Sequence, residues 1–286
     1  MTIMNLKEIK QRIHSVKSTQ KITSAMKLVA AAKLRRTQGA IESLRPYEQK
    51  LDSILSSFLC NTPVNSGYTL SREVKKVVII PVASDTTFCG AFNSNIIRLS
   101  KEVIAEYSSK GVEIEVIPVG KKMQEAIAKQ GIRTVEALMQ HAGNPQYSGI
   151  SYVAKEMMQR FLANEIDKIE LVYTHFVSAG KQIPQRETLL PVDISSLSSD
   201  SACHNIDYII EPSKEDIVNS LIPNVITLRL YAALLDSAVA EHAARMVAMQ
   251  VATDNANDLI GELTLEYNKC RQQAITNELL DIVSGS

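Results

Sequence analysis

LRLYAALLDSAVAEHAARMVAMQVATDNANDLIGELTLEYNKCRQQA, residues 228–274, decides the fold. Its seam recurs at steps of four and three: Leu228, Ala232, Leu235, Val239, His242, Met246, Met249, Thr253, Ala256, Ile260, Leu263, Tyr267, Cys270 and Ala274. Only His242 and Thr253 are not apolar. That step is the heptad pattern of a helix lying along another helix. Pro223 is the last proline, so a helix from Asn224 to Val283 meets no breaker. Its length is about 90 Å, too long for the inside of a compact domain.

The partner lies at the other end of the chain. Leu6, Ile9, Ile13 and Val16 keep the four-three rhythm, and Ala30, Leu34, Ile41, Leu44, Leu51, Leu55 and Phe58 resume it. Between them the track reads Gln20, Thr23 and Lys27, while apolar residues stand at Ile22, Ala25, Met26, Val29 and Ala32. This predicts a seam that rotates around the helix over 20–32. The run Ala30-Ala31-Ala32 favours helix and lets a partner backbone come close. A helix from Ile3 to Leu59 is about 85 Å long. Residues 1–60 carry eleven Lys/Arg and four Asp/Glu, and residues 211–286 carry five and eleven. The ends are therefore about +7 and −6 within a chain of net charge zero. Opposite charge favours pairing the two helices with each other over self-association.

The middle has a different pattern. Lys76–Val82 is a continuous apolar run and reads as a buried strand. A helix over Ala91–Ser109 ends at Gly111, a strand covers Val112–Val119, and a short helix over Lys121–Gln130 ends at Gly131. A further helix covers Gly149–Ile166, a strand Lys168–Val177, and its hairpin mate Gln182–Pro191. Strands alternating with helices predict a small α/β domain with a mainly parallel sheet. Ser195–Asn205 reads as a flexible loop, Ser213 as an N-cap, and Pro223 as a break or kink. The fold class is thus α/β: a long antiparallel coiled coil of N- and C-terminal helices with an inserted small Rossmann-like domain. The expected segments are 1–60, 75–195 and 211–286.

Catalytic signatures are missing from the sequence. It has no Gly-x-x-x-x-Gly-Lys-Ser/Thr loop and no Gly-x-Gly-x-x-Gly after the first strand. Cys60, Cys89, Cys203 and Cys270 are far apart, and the five histidines have no ligand spacing. We expect no catalytic, cofactor or metal site. Ser84–Asn93 reads as a structural turn, and His242 as a packed interior histidine. There is no run of eighteen apolar residues and no leader-like start, so the expectation is a chain that does not itself span a membrane.

Three motifs resemble one family. They are Lys21-Ile22-Thr23-Ser24-Ala25-Met26-Lys27-Leu28-Val29-Ala30-Ala31-Ala32-Lys33; Ala244-Arg245-Met246-Val247-Ala248-Met249 with Ala252-Thr253-Asp254-Asn255-Ala256; and Tyr267 to Leu279 with Ile282-Val283-Ser284-Gly285. Together they resemble the gamma subunits of F-type ATP synthases over essentially the whole chain.

The resemblance implies a non-catalytic rotor shaft coupling proton flow through a c-ring to conformational cycling of catalytic beta subunits. Its implied partners are the hexameric ring of alpha and beta subunits, the epsilon subunit and the c-ring. It implies no nucleic acid, no cofactor, and a peripheral place on the cytoplasmic face of a bacterial inner membrane, reached only through the c-ring. Met26, Lys27, Lys33, Arg35 and Arg36 match the segment facing an acidic lever loop of beta. Arg245, Gln272, Thr276 and Glu278 match positions at the ring's catch loops. Thr86-Thr87-Phe88 departs from the usual Arg-Gly-Leu turn before Cys89-Gly90, and Leu280 replaces a polar residue. The competing readings are a stand-alone α/β enzyme with helical extensions and a homodimeric coiled-coil scaffold. The opposite charges of the two ends count against the scaffold.

Overall fold

The computed structural model describes residues 6–60, 67–70, 72–129, 131–132, 134–135, 142–192 and 214–284. In chain order these hold α1 (Leu6–Cys60), β1 (Lys76–Pro81), α2 (Phe92–Ser109), β2 (Glu113–Val116) and α3 (Lys121–Ala128). They continue with α4 (Tyr147–Leu162), β3 (Lys168–Ser178), β4 (Lys181–Leu190) and α5 (Lys214–Ser284). The chain divides into two compact units, Lys33–Ala244 and Met1–Ala32 with Arg245–Ser286. Both divisions fall inside the long helices rather than at their ends.

The unit Lys33–Ala244 is built on a sheet of order β2-β1-β3-β4. β1 pairs parallel with β2 and β3, and β4 is an antiparallel edge. β1 is buried along Val77–Pro81 because the sheet is covered on both faces. One face packs Val78, Ile80 and Leu171 against Phe161 of α4, Leu55 of α1 and Leu234 of α5. The other packs Val77, Ile79 and Val172 against Ile96 and Val103 of α2 and Met123 of α3.

Several boundaries shift for physical reasons. The second strand ends at Val116, short of the expected Val119, although the Ile117 amide beyond it still donates to the Ile79 carbonyl of β1 at 2.9 Å. The chain rejoins the sheet at the Val82–Val119 bridge. α4 starts at Tyr147 and stops at Leu162, where Asn164 turns the backbone at φ 58° and Ile166 re-enters the core. Pro223 does not break the C-terminal helix: α5 runs through it from Lys214. Ile222, Val225 and Ile226 are buried there, and that burial outweighs the roughly 3 kcal/mol that proline costs inside a helix. The expected loop Ser195–Asn205 and the N-cap at Ser213 lie outside the described residues.

One glycine is required by close approach. Gly120 has φ 87°, and a Cβ there would lie 2.3 Å from the carbonyl oxygen of Ala83. It lets the β2 end run against the β1 end before α3 starts. Part of α5 is apolar and long enough to cross a bilayer by composition. Burial in this core accounts for that apolarity, since residues 232–243 are buried without interruption.

Candidate functional site

The unit Met1–Ala32 with Arg245–Ser286 holds most of the residues expected at the functional surface. Its two helices meet along the predicted seam of α5: Met249, Thr253, Ala256 and Leu263 are buried, and Met246, Ile260, Tyr267, Cys270 and Ala274 are half-buried. On α1 the seam does not rotate. Ile9, Thr23 and Ala30 are buried, with Ile13, Val16, Gln20 and Lys27 half-buried between them. Ile22 and Val29, expected inside, are 60% and 57% exposed. The correction has a plain cause. The Thr23 and Thr253 hydroxyls lie 2.8 Å apart, and Lys27 Nζ donates to Gln250 Oε1 at 2.8 Å. The polar slots of the two seams coincide, so polar groups stay inside and satisfy one another. As numbering rises from Thr23 to Lys27 it falls from Thr253 to Gln250, so the helices run antiparallel.

Gln250 also donates to both carboxylate oxygens of Asp254, at 2.8 and 2.9 Å. A relay Lys27–Gln250–Asp254 thus joins the basic helix to the acidic one. Lys27 is turned across the seam rather than outward, and Met26 beside it is half-buried. Arg245 is half-buried. Gln272, Thr276 and Glu278 are exposed near the end of α5, where the Thr276 hydroxyl donates to the Gln272 carbonyl at 2.9 Å. From Ile275 to Ser284 every residue is exposed, including Leu279, Leu280, Ile282 and Val283. Of this apolar tip the sequence singles out only Leu280, and its pattern places Ile22 and Val29 inward rather than outward. The uninterrupted four-three track through Gln20, Thr23 and Lys27 was the signal for the second group. Lys33, Arg35 and Arg36 are exposed on the part of α1 that belongs to the other unit.

The unit Lys33–Ala244 holds polar clusters that pattern reading missed. Glu170 is fully buried and accepts Arg186 Nε at 2.6 Å, Arg186 Nη2 at 2.9 Å, Lys168 Nζ at 2.6 Å and the Tyr107 hydroxyl at 2.6 Å. Burial pushes its carboxyl up, but the Arg186, Lys168 and Tyr107 hydrogen bonds outweigh this and hold it below the ordinary value. Arg186 reaches on to Glu106 at 2.6 Å; hydrogen bonds from Lys110 and Arg186 bring that carboxyl down to about 2. At the opposite edge Glu115, also buried, takes a bidentate Arg160 at 2.8 and 2.9 Å. His175 of β3 meets Asp236 of α5 at 2.5 Å.

The turn after β1 is held by hydrogen bonds among its own side chains and backbone. Ser84 and Asn93 side chains bond at 2.9 Å, and Cys89 is buried beside Phe92 and Ala240. Phe88 takes φ 65° and is exposed. Among the described residues no group of three His, Cys, Asp or Glu is placed to hold a metal ion.

Residues 5–286 match the family model described as ATP synthase. The ATP synthase gamma chain of Bacteroides thetaiotaomicron is 49% identical over 294 residues, covering 99% of both chains. That of Flavobacterium johnsoniae is 44% identical over 288 residues, covering 99% of this chain and 98% of the relative. A chain of the Euglena gracilis mitochondrial ATP synthase rotor shares the fold at TM-score 0.64 and 21% identity, covering 94% of this chain and 98% of the other. With 44–49% identity over 99% of its length and a family model matching residues 5–286, this chain belongs to the ATP synthase gamma chain family.

Proposed function

We propose that this chain is the central rotor shaft of an F-type ATP synthase and is itself non-catalytic. The observation that carries the reading is 49% identity to a gamma chain over 99% of this chain, joined to an antiparallel helix pair whose last turns expose apolar side chains. Segments 1–60 and 211–286 form the coiled coil of the shaft, and 75–195 form its Rossmann-like foot. The tip lies inside a ring of alpha and beta subunits, while the foot docks with epsilon on a c-ring. The complex is peripheral on the cytoplasmic face of the bacterial inner membrane, and proton flow turns shaft and c-ring together.

The named residues take distinct roles in this reading. Lys33, Arg35 and Arg36 are exposed cations suited to an acidic lever on beta. Gln272, Thr276 and Glu278 are exposed polar groups suited to the catch loops. Met26 and Arg245 are half-buried at the flank of the seam. Lys27 contributes from within, tying the two helices.

Copurification tests the assignment. The tagged chain is expected to bring down two larger ATPase subunits, each in threefold excess, and the isolated chain to show no ATP turnover. A monomer that hydrolyses ATP alone at the rate of the complex refutes the shaft.

A further inference from the structure

We infer that Asp236 anchors a mechanical clamp that fixes α5 to the β3–β4 ribbon at the root of the shaft. β1 pairs with β3 only as far as Val172, and among the described residues Tyr173–Ser178 pair with β4 alone. A two-stranded ribbon is marginally stable by itself, so this end of β3 depends on α5. The helix grips it from both faces. One Asp236 oxygen lies 2.5 Å from His175 Nδ1, and the other accepts the backbone N–H of Phe176 at 3.3 Å. Successive side chains of a strand point to opposite faces, and the Phe176 ring packs with Cys89, Phe92, Ala240 and Ala244. Asp236, Ala240 and Ala244 recur every four residues and form one stripe of α5.

The place of the clamp along α5 gives it its purpose. Residues 232–243 are buried without interruption, residues 244–246 are half-buried, and the unit Lys33–Ala244 ends there. The stripe from Asp236 to Ala244 is thus the last stretch of α5 that this unit holds. Earlier turns are held by Ile222, Val225, Ile226, Leu230 and Leu234 in the apolar core. Apolar burial is non-directional, whereas hydrogen bonds weaken steeply when bent or stretched. The Asp236 side chain is only 9% exposed, so water competes little for its bonds. They therefore set the rotation of α5 about its own axis where the helix leaves the sheet. In the shaft, a role that rests on the function proposed above, the clamp passes torque between the foot and α5.

Two measurements test the clamp. In vesicles holding the reconstituted complex, Asp236→Ala is expected to keep ATP hydrolysis and to lower proton transport per ATP hydrolysed by about twofold or more. Asp236→Asn, whose amide can meet both ribbon groups, is expected to keep native coupling. So is Arg186→Met, which loosens the buried Glu170 cluster without touching α5. Native coupling in Asp236→Ala overturns the clamp, and so does an equal loss in Asp236→Asn or Arg186→Met. In the full-length chain alone, hydrogen exchange at the peptide containing the Phe176 amide is expected to be about threefold or more faster in Asp236→Ala. Unchanged exchange there overturns the clamp by itself. A native chain that fails to join the complex defeats the rotor reading alone, and the exchange measurement then decides the clamp.

Discussion

Glu170 carries a charge at a fully buried position of the central sheet, which is costly unless every lone pair is met. Arg186, Lys168 and Tyr107 meet them. Removing Arg186 leaves Lys168 and Tyr107 to hold the carboxylate and also releases Glu106. We expect Arg186→Met to cost about 2–4 kcal/mol, read as a lower denaturation midpoint of the full chain. Replacing Glu170 by Gln as well should recover part of that loss, since no charge remains buried. The pH sign follows from the lowered carboxyl of Glu170. Its stabilisation is complete above the ordinary carboxylate range, near pH 4.5, and is lost as pH falls through the depressed folded value. Acid unfolding of Glu170→Gln should therefore be shallower below about pH 4.5 than that of the native chain. A strand position between Ile169 and Leu171 reads from sequence as an ordinary alternation site. The ion cluster arises because α2 and β4 bring Tyr107 and Arg186 to it from 63 and 16 residues away.

At the scale of the element, the decisive feature is the polar layer between α1 and α5. Two reading frames compete on α1: an apolar one through Ile22 and Val29, and a polar one through Thr23 and Lys27. The hydrophobic effect on α1 alone favours the first. The second wins because Thr253 and Gln250 occupy the matching slots of α5, and both threonine hydroxyls also find a carbonyl acceptor on their own helix, so none of these polar groups is buried unsatisfied. Thr23→Cys with Thr253→Cys, in a chain lacking its own cysteines, should form a disulfide within one molecule. Electrophoresis without reductant reads it; crosslinks found only between molecules overturn the pairing. Thr23→Val alone should destabilise the helix pair by about 1 kcal/mol, and Thr23→Val with Thr253→Val by less than the sum of the two single changes, because the one Thr23–Thr253 contact is lost in either single change. A thermal-melt double-mutant cycle measures this.

On the scale of the whole molecule, the last turns of α5 are exposed among the described residues, from Ile275 to Ser284. Leu279, Leu280 and Ile282 there are 58%, 60% and 69% exposed, a contiguous apolar surface of the kind that marks interaction sites. Glu278→Ala is expected to leave folding and assembly intact while lowering ATP synthesis per assembled complex severalfold in reconstituted vesicles. Unchanged synthesis removes Glu278 from the contact set. Leu279→Ser with Ile282→Ser should leave the melting of the isolated chain unaltered and weaken its retention in the complex. A lowered melt instead assigns these residues to internal packing.

Long-range pattern was legible before any coordinates. The heptad track of α5, the opposite charges of the two ends, the glycines closing α2 and α3, and the apolar run of β1 are local signals. Each depends on side-chain spacing, on the charge summed over one segment or on backbone freedom at one residue. They determine two long helices, a mostly parallel sheet and the plan that joins them. Tertiary structure alone decided which face of α1 turns inward between Gln20 and Ala32, that α5 continues through Pro223, and which acids of the sheet are buried. Those outcomes turn on partners distant in sequence: Thr253 for Thr23, the core around Ile222 and Ile226 for Pro223, Arg186 for Glu170. The burial energy of a polar or helix-breaking residue is set by what the fold places against it, and composition along one helix or strand does not contain that information.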